Sequence, residues 1–167
     1  MTTWLIYTCG YPFSGKSTLS RAIAAETGLA LVEVDAHMAS ADRWLDAYVA
    51  AYAEMRAQLA IGRSVSLDSV AHTRKNRARL HRIAAEYDAT PFCVWLDVPI
   101  DEANRRRLAN QANPTRAHVP DEGFEWITRD FEPPTEVDHL TYQPQSEPIQ
   151  WIAANLLPFV REKVPTS

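Results

Sequence analysis

The chain has 167 residues, of which 46 % are hydrophobic and 23 % charged, with a formal net charge of −4. That length suits one domain with a real core, and the acidic balance argues against a broad nucleic-acid footprint. No apolar run approaches the roughly 18 residues of a membrane span, and the N-terminus lacks the basic and apolar regions of a signal peptide. The expectation is a single cytoplasmic domain over 1–167 with no membrane partner. Cys9 and Cys93 lie in apolar runs without His or Cys neighbours and read as buried, reduced thiols.

In chain order, Trp4–Cys9 is a continuous apolar run and reads as a buried strand. Gly10, Tyr11, Pro12, Phe13, Ser14, Gly15, Lys16, Ser17 and Thr18 follow, a complete match to G-x-x-x-x-G-K-[ST]. Each fixed position has a physical role. The glycines let successive N–H groups turn inward toward phosphate oxygens, Lys16 brings a mobile cation, and the Ser17 hydroxyl suits Mg²⁺. Leu19, Ile23 and Ala24 recur at helical spacing, so a helix N-terminus stands behind the loop, and Gly28 is placed to end that helix. Strand, loop and helix in this order point to a bound nucleoside triphosphate, with ATP as the expected cofactor.

Leu29–Asp35 reads as a second strand ending in a carboxylate. A helix over 42–61 carries Trp44, Leu45, Tyr48, Val49, Tyr52, Met55 and Leu59 as one apolar face, ended by Gly62. Ser64–Asp68 is a short third strand. Asn76–Tyr87 is helical, with Arg74, Lys75, Arg77, Arg79 and Arg82 around it. Pro91–Leu96 is a fourth strand, and Asp97 reads as a helix cap before an arginine-rich helix over 101–110. From Gln111 to Val119 apolar periodicity is lost, which suggests a mobile loop. Asp121 can cap a helix carrying Phe124, Ile127 and Phe131, and Val137–Tyr142 reads as a marginal strand. A last helix, about Pro148–Lys163, must kink or split at Pro158. This alternation predicts an α/β three-layer sandwich, a five-stranded parallel sheet between helices, with a mobile lid near 105–120. Right-handed crossovers place the loop and the strand ends on one edge.

Asp35 and Asp68 fall on that edge. Asp68 ends Val65-Ser66-Leu67, the shape of a Walker B strand, where it can hold Mg²⁺ through water or touch the acceptor. Asp35 stands where a group would accept the proton of an attacking hydroxyl. Ser69 follows Asp68, where hydrolytic motors usually carry Glu, and no Asn-Lys-x-Asp guanine-reading sequence occurs. A small phosphotransferase remains. Arg105, Arg106 and Arg107 fan around a helix, so one or two can face phosphate; Arg106 or Arg107 is expected at the γ-phosphate and Arg105 near the base or solvent. His37 and His72 are candidate acceptor-pocket residues, with Met38, Trp44 and Tyr48 nearby.

The order of these features, with Leu67-Asp68 followed by Arg74 and Arg77 and then Leu96-Asp-Val-Pro-Ile-Asp-Glu-Ala-Asn-Arg-Arg-Arg, resembles a group of P-loop kinases. The group includes polynucleotide 5′-hydroxyl kinases, chloramphenicol phosphotransferase and zeta-toxin-like kinases, and the likeness spans roughly 3–132. It implies Lys16 on phosphates, Ser17 on Mg²⁺, Asp35 as general base, Asp68 on acceptor or metal water, and Arg106 in the lid. The group often has a second lid arginine four residues on; here Asn110 stands there, with Arg107 or Arg116 as replacements. The leading expectation is ATP-dependent phosphorylation of a small hydroxylated molecule. A polynucleotide or tRNA kinase, using the basic helix as a phosphate strip, is the second reading, and a non-enzymatic ATP-dependent switch the third.

Overall fold

The computed structural model describes residues 2–41, 43–115, 119–143 and 145–162. Five strands form one parallel sheet: β1 (Thr3–Cys9), β2 (Ala30–Glu33), β3 (Val65–Asp68), β4 (Ala89–Leu96) and β5 (His139–Tyr142), in spatial order β2-β3-β1-β4-β5. Representative register pairs are Val32 with Leu67, Leu5 with Val65, Tyr7 with Cys93 and Val94 with Leu140. The sheet is covered on both faces, which is why its central strands β3 and β1 are buried almost throughout instead of alternating. Successive side chains still point to opposite faces. Leu5, Tyr7 and Cys9 pack with Val32, Leu67, Met55 and Ile83 on one side, while Trp4 and Ile6 pack with Leu19, Ile23, Phe92 and Ile152 on the other. The expected three-layer α/β sandwich is present.

Helices α1 (Lys16–Thr27), α2 (Trp44–Ala60), α3 (Arg74–Glu86), α4 (Ile100–Ala112) and α5 (Asp121–Arg129) follow in turn, and the chain closes with α6 (Pro148–Trp151) and α7 (Leu157–Glu162). Gly28 ends α1 as expected: its φ of 74° is the left-handed conformation, and its N–H donates to the Ala24 carbonyl. Thr73 caps α3, its side chain accepting from the Asn76 N–H. Between α6 and α7, Ile152–Leu156 forms a wide π turn just ahead of Pro158. Proline lacks the N–H that a regular turn requires, so the irregular turn falls ahead of Pro158, which itself lies inside α7, rather than at the proline.

Several sequence expectations are corrected. The apolar stripe of α2 does not all face the core: Ala47, Ala51, Tyr52, Met55 and Leu59 are buried, whereas Leu45 and Val49 are 60 % and 58 % exposed. Alanines let α2 approach the sheet closely, and that fixes which side turns inward. Strand β2 is shorter than expected, and Asp35 lies beyond it, opening a 3₁₀ segment, Asp35–Ser40. Asp97 is not a helix cap; Pro99 precedes α4, and the Asp97 N–H donates to the Tyr142 carbonyl at 3.2 Å. Gln111 and Ala112 complete α4, which shortens the irregular stretch. Asp121 sits in the first turn of α5, with Pro120 at the cap. The core of the expected lid, including Arg116, lies outside the described residues, as do Asp42 and Lys163.

Candidate active site at the carboxyl ends of the strands

Residues 10–18 leave the end of β1 and turn into α1. A Cβ on Gly10 would lie 3.0 Å from Ser14 Oγ and 3.1 Å from the Leu96 carbonyl, so only glycine fits. Gly15 adopts φ +100°, and Phe13, at φ 67°, holds a conformation that a bulky residue rarely takes. Such local strain persists only where the surroundings enforce it. Two hydrogen bonds help here: Gly10 N–H to the Val70 carbonyl at 3.3 Å and Ser14 N–H to the Tyr11 carbonyl at 3.2 Å. Tyr11 packs against the Phe131 ring at 4.6 Å. Ser14 Oγ is buried without a hydrogen-bond partner among the described residues. Such a hydroxyl is available to a polar ligand that enters the loop. Lys16 is 7 % exposed and its Nζ donates to the Tyr11 carbonyl at 2.6 Å, folded back on its own loop. Pro12 is buried, Ser17 half-buried and Thr18 exposed.

A cavity of about 450 Å³ opens beside the loop. Its walls bring together Lys16, Ser17, Asp35 and Asp68, four residues that come from three separate strand–turn junctions. The parallel topology explains this, because every junction of that kind emerges on the same edge. Asp68 is buried at the end of β3, and its carbonyl accepts from the Val34 N–H at 3.4 Å. The far wall is apolar and aromatic: Met38, Trp44 and Tyr48 from one side, Trp126 and Ile127 from α5. Burial, the Tyr52 phenol and the carboxylates of Asp68 and Asp35 raise the Tyr48 hydroxyl above the ordinary phenol range, so it stays a neutral hydrogen-bond donor.

On the other side of the loop lies a second concavity, about 370 Å³, between Phe13, Gly15 and the α4 residues Arg105, Arg106 and Asn110. Arg106 is the arginine that reaches the loop. Its Nη1 lies 3.4 Å from both the Phe13 and Ser14 carbonyls, while its Nε is held by Glu102 at 2.7 Å. Arg105 shares Glu102 and points to solvent; the two guanidinium groups pull the Glu102 carboxyl down to about 2. Asn110, on the same face as Arg106, accepts from the Thr115 N–H at 3.0 Å.

Arg107, the alternative to Arg106 for a γ-phosphate contact, is engaged within the fold. One residue further around α4, it turns inward, pairs with Asp121 and Asn104, and lies over the Phe124 ring. His37 turns away from the cavity and meets Glu54 at 2.8 Å. His72 sits behind the cavity wall, with its ring 5.2 Å from that of Trp126, and burial lowers its pKa. Arg77 is not part of a basic strip on α3. It is fully buried, paired with Glu136 at 2.5 and 3.0 Å and donating to the Ala71 carbonyl at 2.9 Å. Trp126 was not singled out by sequence. The available signal was a large aromatic on α5 lying off the Phe124–Ile127 face that enters the core.

No curated protein matches the chain, but several solved structures share its fold. A provisionally assigned kinase from Chloroflexus aurantiacus aligns with a TM-score of 0.73 at 23 % identity, covering 94 % of this chain and 97 % of that one. Kti12 from Chaetomium thermophilum, solved with ADP-AlF₃, gives 0.71 at 21 % identity over 92 % and 97 %. A gluconokinase from Sinorhizobium meliloti gives 0.67 at 20 % identity over 96 % and 97 %. These likenesses establish the P-loop kinase fold. Residues 5–134 match the family model described as an AAA domain, and the chain belongs to that family.

Proposed function

We propose that the protein is an ATP-dependent phosphotransferase that moves the γ-phosphate of ATP to a hydroxyl of a small molecule. One observation carries this reading: the phosphate loop lies between two cavities, and the cavity holding Lys16 and Ser17 also holds Asp35 and Asp68. The groove beside Arg105 and Arg106 suits the nucleoside part of ATP, and the enclosed cavity suits the acceptor. Loop N–H groups and Lys16 hold the β- and γ-phosphates. Asp35 accepts the proton of the acceptor hydroxyl as its oxygen bonds to the γ-phosphorus. The bond to the β–γ bridging oxygen breaks and ADP leaves. Arg106, already at the loop, supplies positive charge near the transferring group.

A hydroxyl and a carboxylate, Ser17 and Asp68, are the oxygen donors that Mg²⁺ prefers, and they share one wall with Lys16. Among the described residues no three His, Cys, Asp or Glu side chains cluster, so the remaining ligands of such an ion would be phosphate oxygens and water. When bound, Mg²⁺ would neutralise charge on the β- and γ-phosphates. The nucleic-acid reading is weakened, because Arg77 leaves the basic strip of α3 for the interior and Arg74 lies 4.0 Å from both Glu132 and Glu136. No helix among the described residues is long and apolar enough to cross a membrane.

Asp35→Asn tests the proposal. The substitution keeps size and removes the proton acceptor, so turnover should fall about 10²–10⁴-fold with little change in ATP affinity or melting temperature. Turnover within threefold of the parent would remove Asp35 from this role.

A further inference from the structure

The cavity wall opposite the loop constrains the acceptor more closely than the reaction type does. Among its described lining residues Lys16 is the single cation, and it belongs to the phosphate loop; Asp35 and Asp68 are both carboxylates. Of the described lining residues beyond the loop, none is an arginine, lysine or histidine. The rest of the wall is built for a flat apolar body. Trp44 meets Tyr48 edge-on with ring centroids 4.9 Å apart, and Trp44 meets Trp126 edge-on at 6.5 Å. Met38, Val70 and Ile127 complete it. Aromatic faces beside two carboxylates attract cations and tolerate neutral rings. With Lys16 and Mg²⁺ engaged by the phosphates and Asp68, an anionic acceptor would still meet the Asp35 carboxylate beside apolar walls and no cation of its own among the described lining residues.

Resting on the phosphotransferase reading above, we infer that the acceptor is an uncharged or cationic hydroxyl compound with an aromatic or similarly flat apolar body, and that Trp44, Tyr48 and Trp126 select it against hydroxy acids and phosphorylated alcohols. Its apolar body packs on the wall that Trp44, Trp126, Met38 and Ile127 form, and its hydroxyl meets Asp35 in the same cavity.

A matched series tests the inference by charge alone. Phenylethanolamine, phenylethylene glycol and mandelate share a ring and a benzylic hydroxyl but carry positive, zero and negative charge at neutral pH. Binding of each is measured by calorimetry to protein saturated with Mg²⁺ and a non-hydrolysable ATP analogue. Phenylethanolamine and the glycol should each bind at least about tenfold tighter than mandelate. Trp126→Ala should weaken both by a similar factor and leave binding of the ATP analogue unchanged. Mandelate binding as well as the others, or no saturable binding by either of the non-anionic probes, overturns the inference. Binding in the expected order without any ADP release in the presence of ATP would leave the acceptor class standing and would count against the transfer reaction, so the two failures are distinct.

Discussion

Two arginines from equally basic stretches of sequence end in opposite situations. Arg77, from the first turn of α3, is sealed under the sheet: fully buried, bidentate to Glu136 and bonded to the Ala71 carbonyl. Arg106, from the middle of α4, stays half-exposed at the edge of the phosphate loop, steadied by Glu102. Basic residues close together in sequence therefore say little about phosphate binding. What decides is whether the helix places a side chain at the carboxyl edge of the sheet or beneath its face. Arg77 serves stability, since it ties down Ala71, whose φ of 45° is otherwise unfavourable for a residue with a Cβ, just beyond Asp68. Arg106 is the one that the proposed transfer would use.

The largest effect expected at the open edge is that of Lys16→Ala. In the proposed mechanism Lys16 acts through charge on the phosphates, so its removal should lower turnover on the order of 10³-fold or more while the melting temperature stays near that of the parent. Near-native turnover would break the assignment of the loop. Arg106→Met sharpens the contrast between the two arginines. It should reduce kcat by about 10²-fold, as loss of one transition-state donor does, with no loss of stability. If Arg106→Met instead lowers the melting temperature and leaves kcat intact, Arg106 belongs with Arg77 as a structural residue.

The sheet, its order of elements and the loop were legible because each rests on a local signal: apolar runs four to eight residues long, a glycine at a required turn, a motif with fixed spacing. Lys16, Ser17, Asp35 and Asp68 were legible for the same reason, since parallel topology converts strand-end positions into neighbours. The misplacements share a different cause. Arg107 was read from its place in an arginine run on a helix and Arg77 from a basic strip, and whether a helical arginine faces in or out depends on partners beyond its own helix: Asp121 for one, 14 residues away, and Glu136 for the other, 59 residues away. His37 followed the same course with Glu54, 17 residues away. Trp126 was illegible because α5 had to dock over the cavity before its outer face acquired meaning.

The buried partner of the comparison has its own test. Glu136→Gln removes the charge that balances Arg77 and should cost about 3 kcal/mol, the low end for breaking a buried pair because Glu136 retains partial exposure. Thermal unfolding of the folded variant reads it directly, and activity per folded molecule should change little. A variant as stable as the parent would show that Arg77 is balanced by its carbonyl contacts alone. Replacing Glu136 and Arg77 together, with Gln and Met, should recover part of the loss, since no uncompensated charge then remains in the interior.

The smallest effect concerns pH. Burial lowers the pKa of both His72 and His81, so the fold favours their neutral forms. Around His72 the carboxylates of Asp130 and Glu132 oppose that shift and Arg77 reinforces it; around His81 Glu136 and Asp138 oppose it and Arg77 again reinforces it. Each depressed histidine contributes stability above its unfolded pKa of about 6.5, and that contribution is lost as pH falls through the folded value. Melting temperature should therefore decline on acidification from pH 7 to 5. His81 also meets the Tyr7 hydroxyl at 3.0 Å, a contact that the neutral ring can make as donor or acceptor and the charged ring only as donor. Replacing both histidines with glutamine should flatten the decline even if it lowers stability at pH 7, because the slope reports proton uptake and the intercept reports packing. Parallel melting curves for parent and double variant across that range would assign the acid sensitivity to other groups, with the Arg77–Glu136 pair the next to examine.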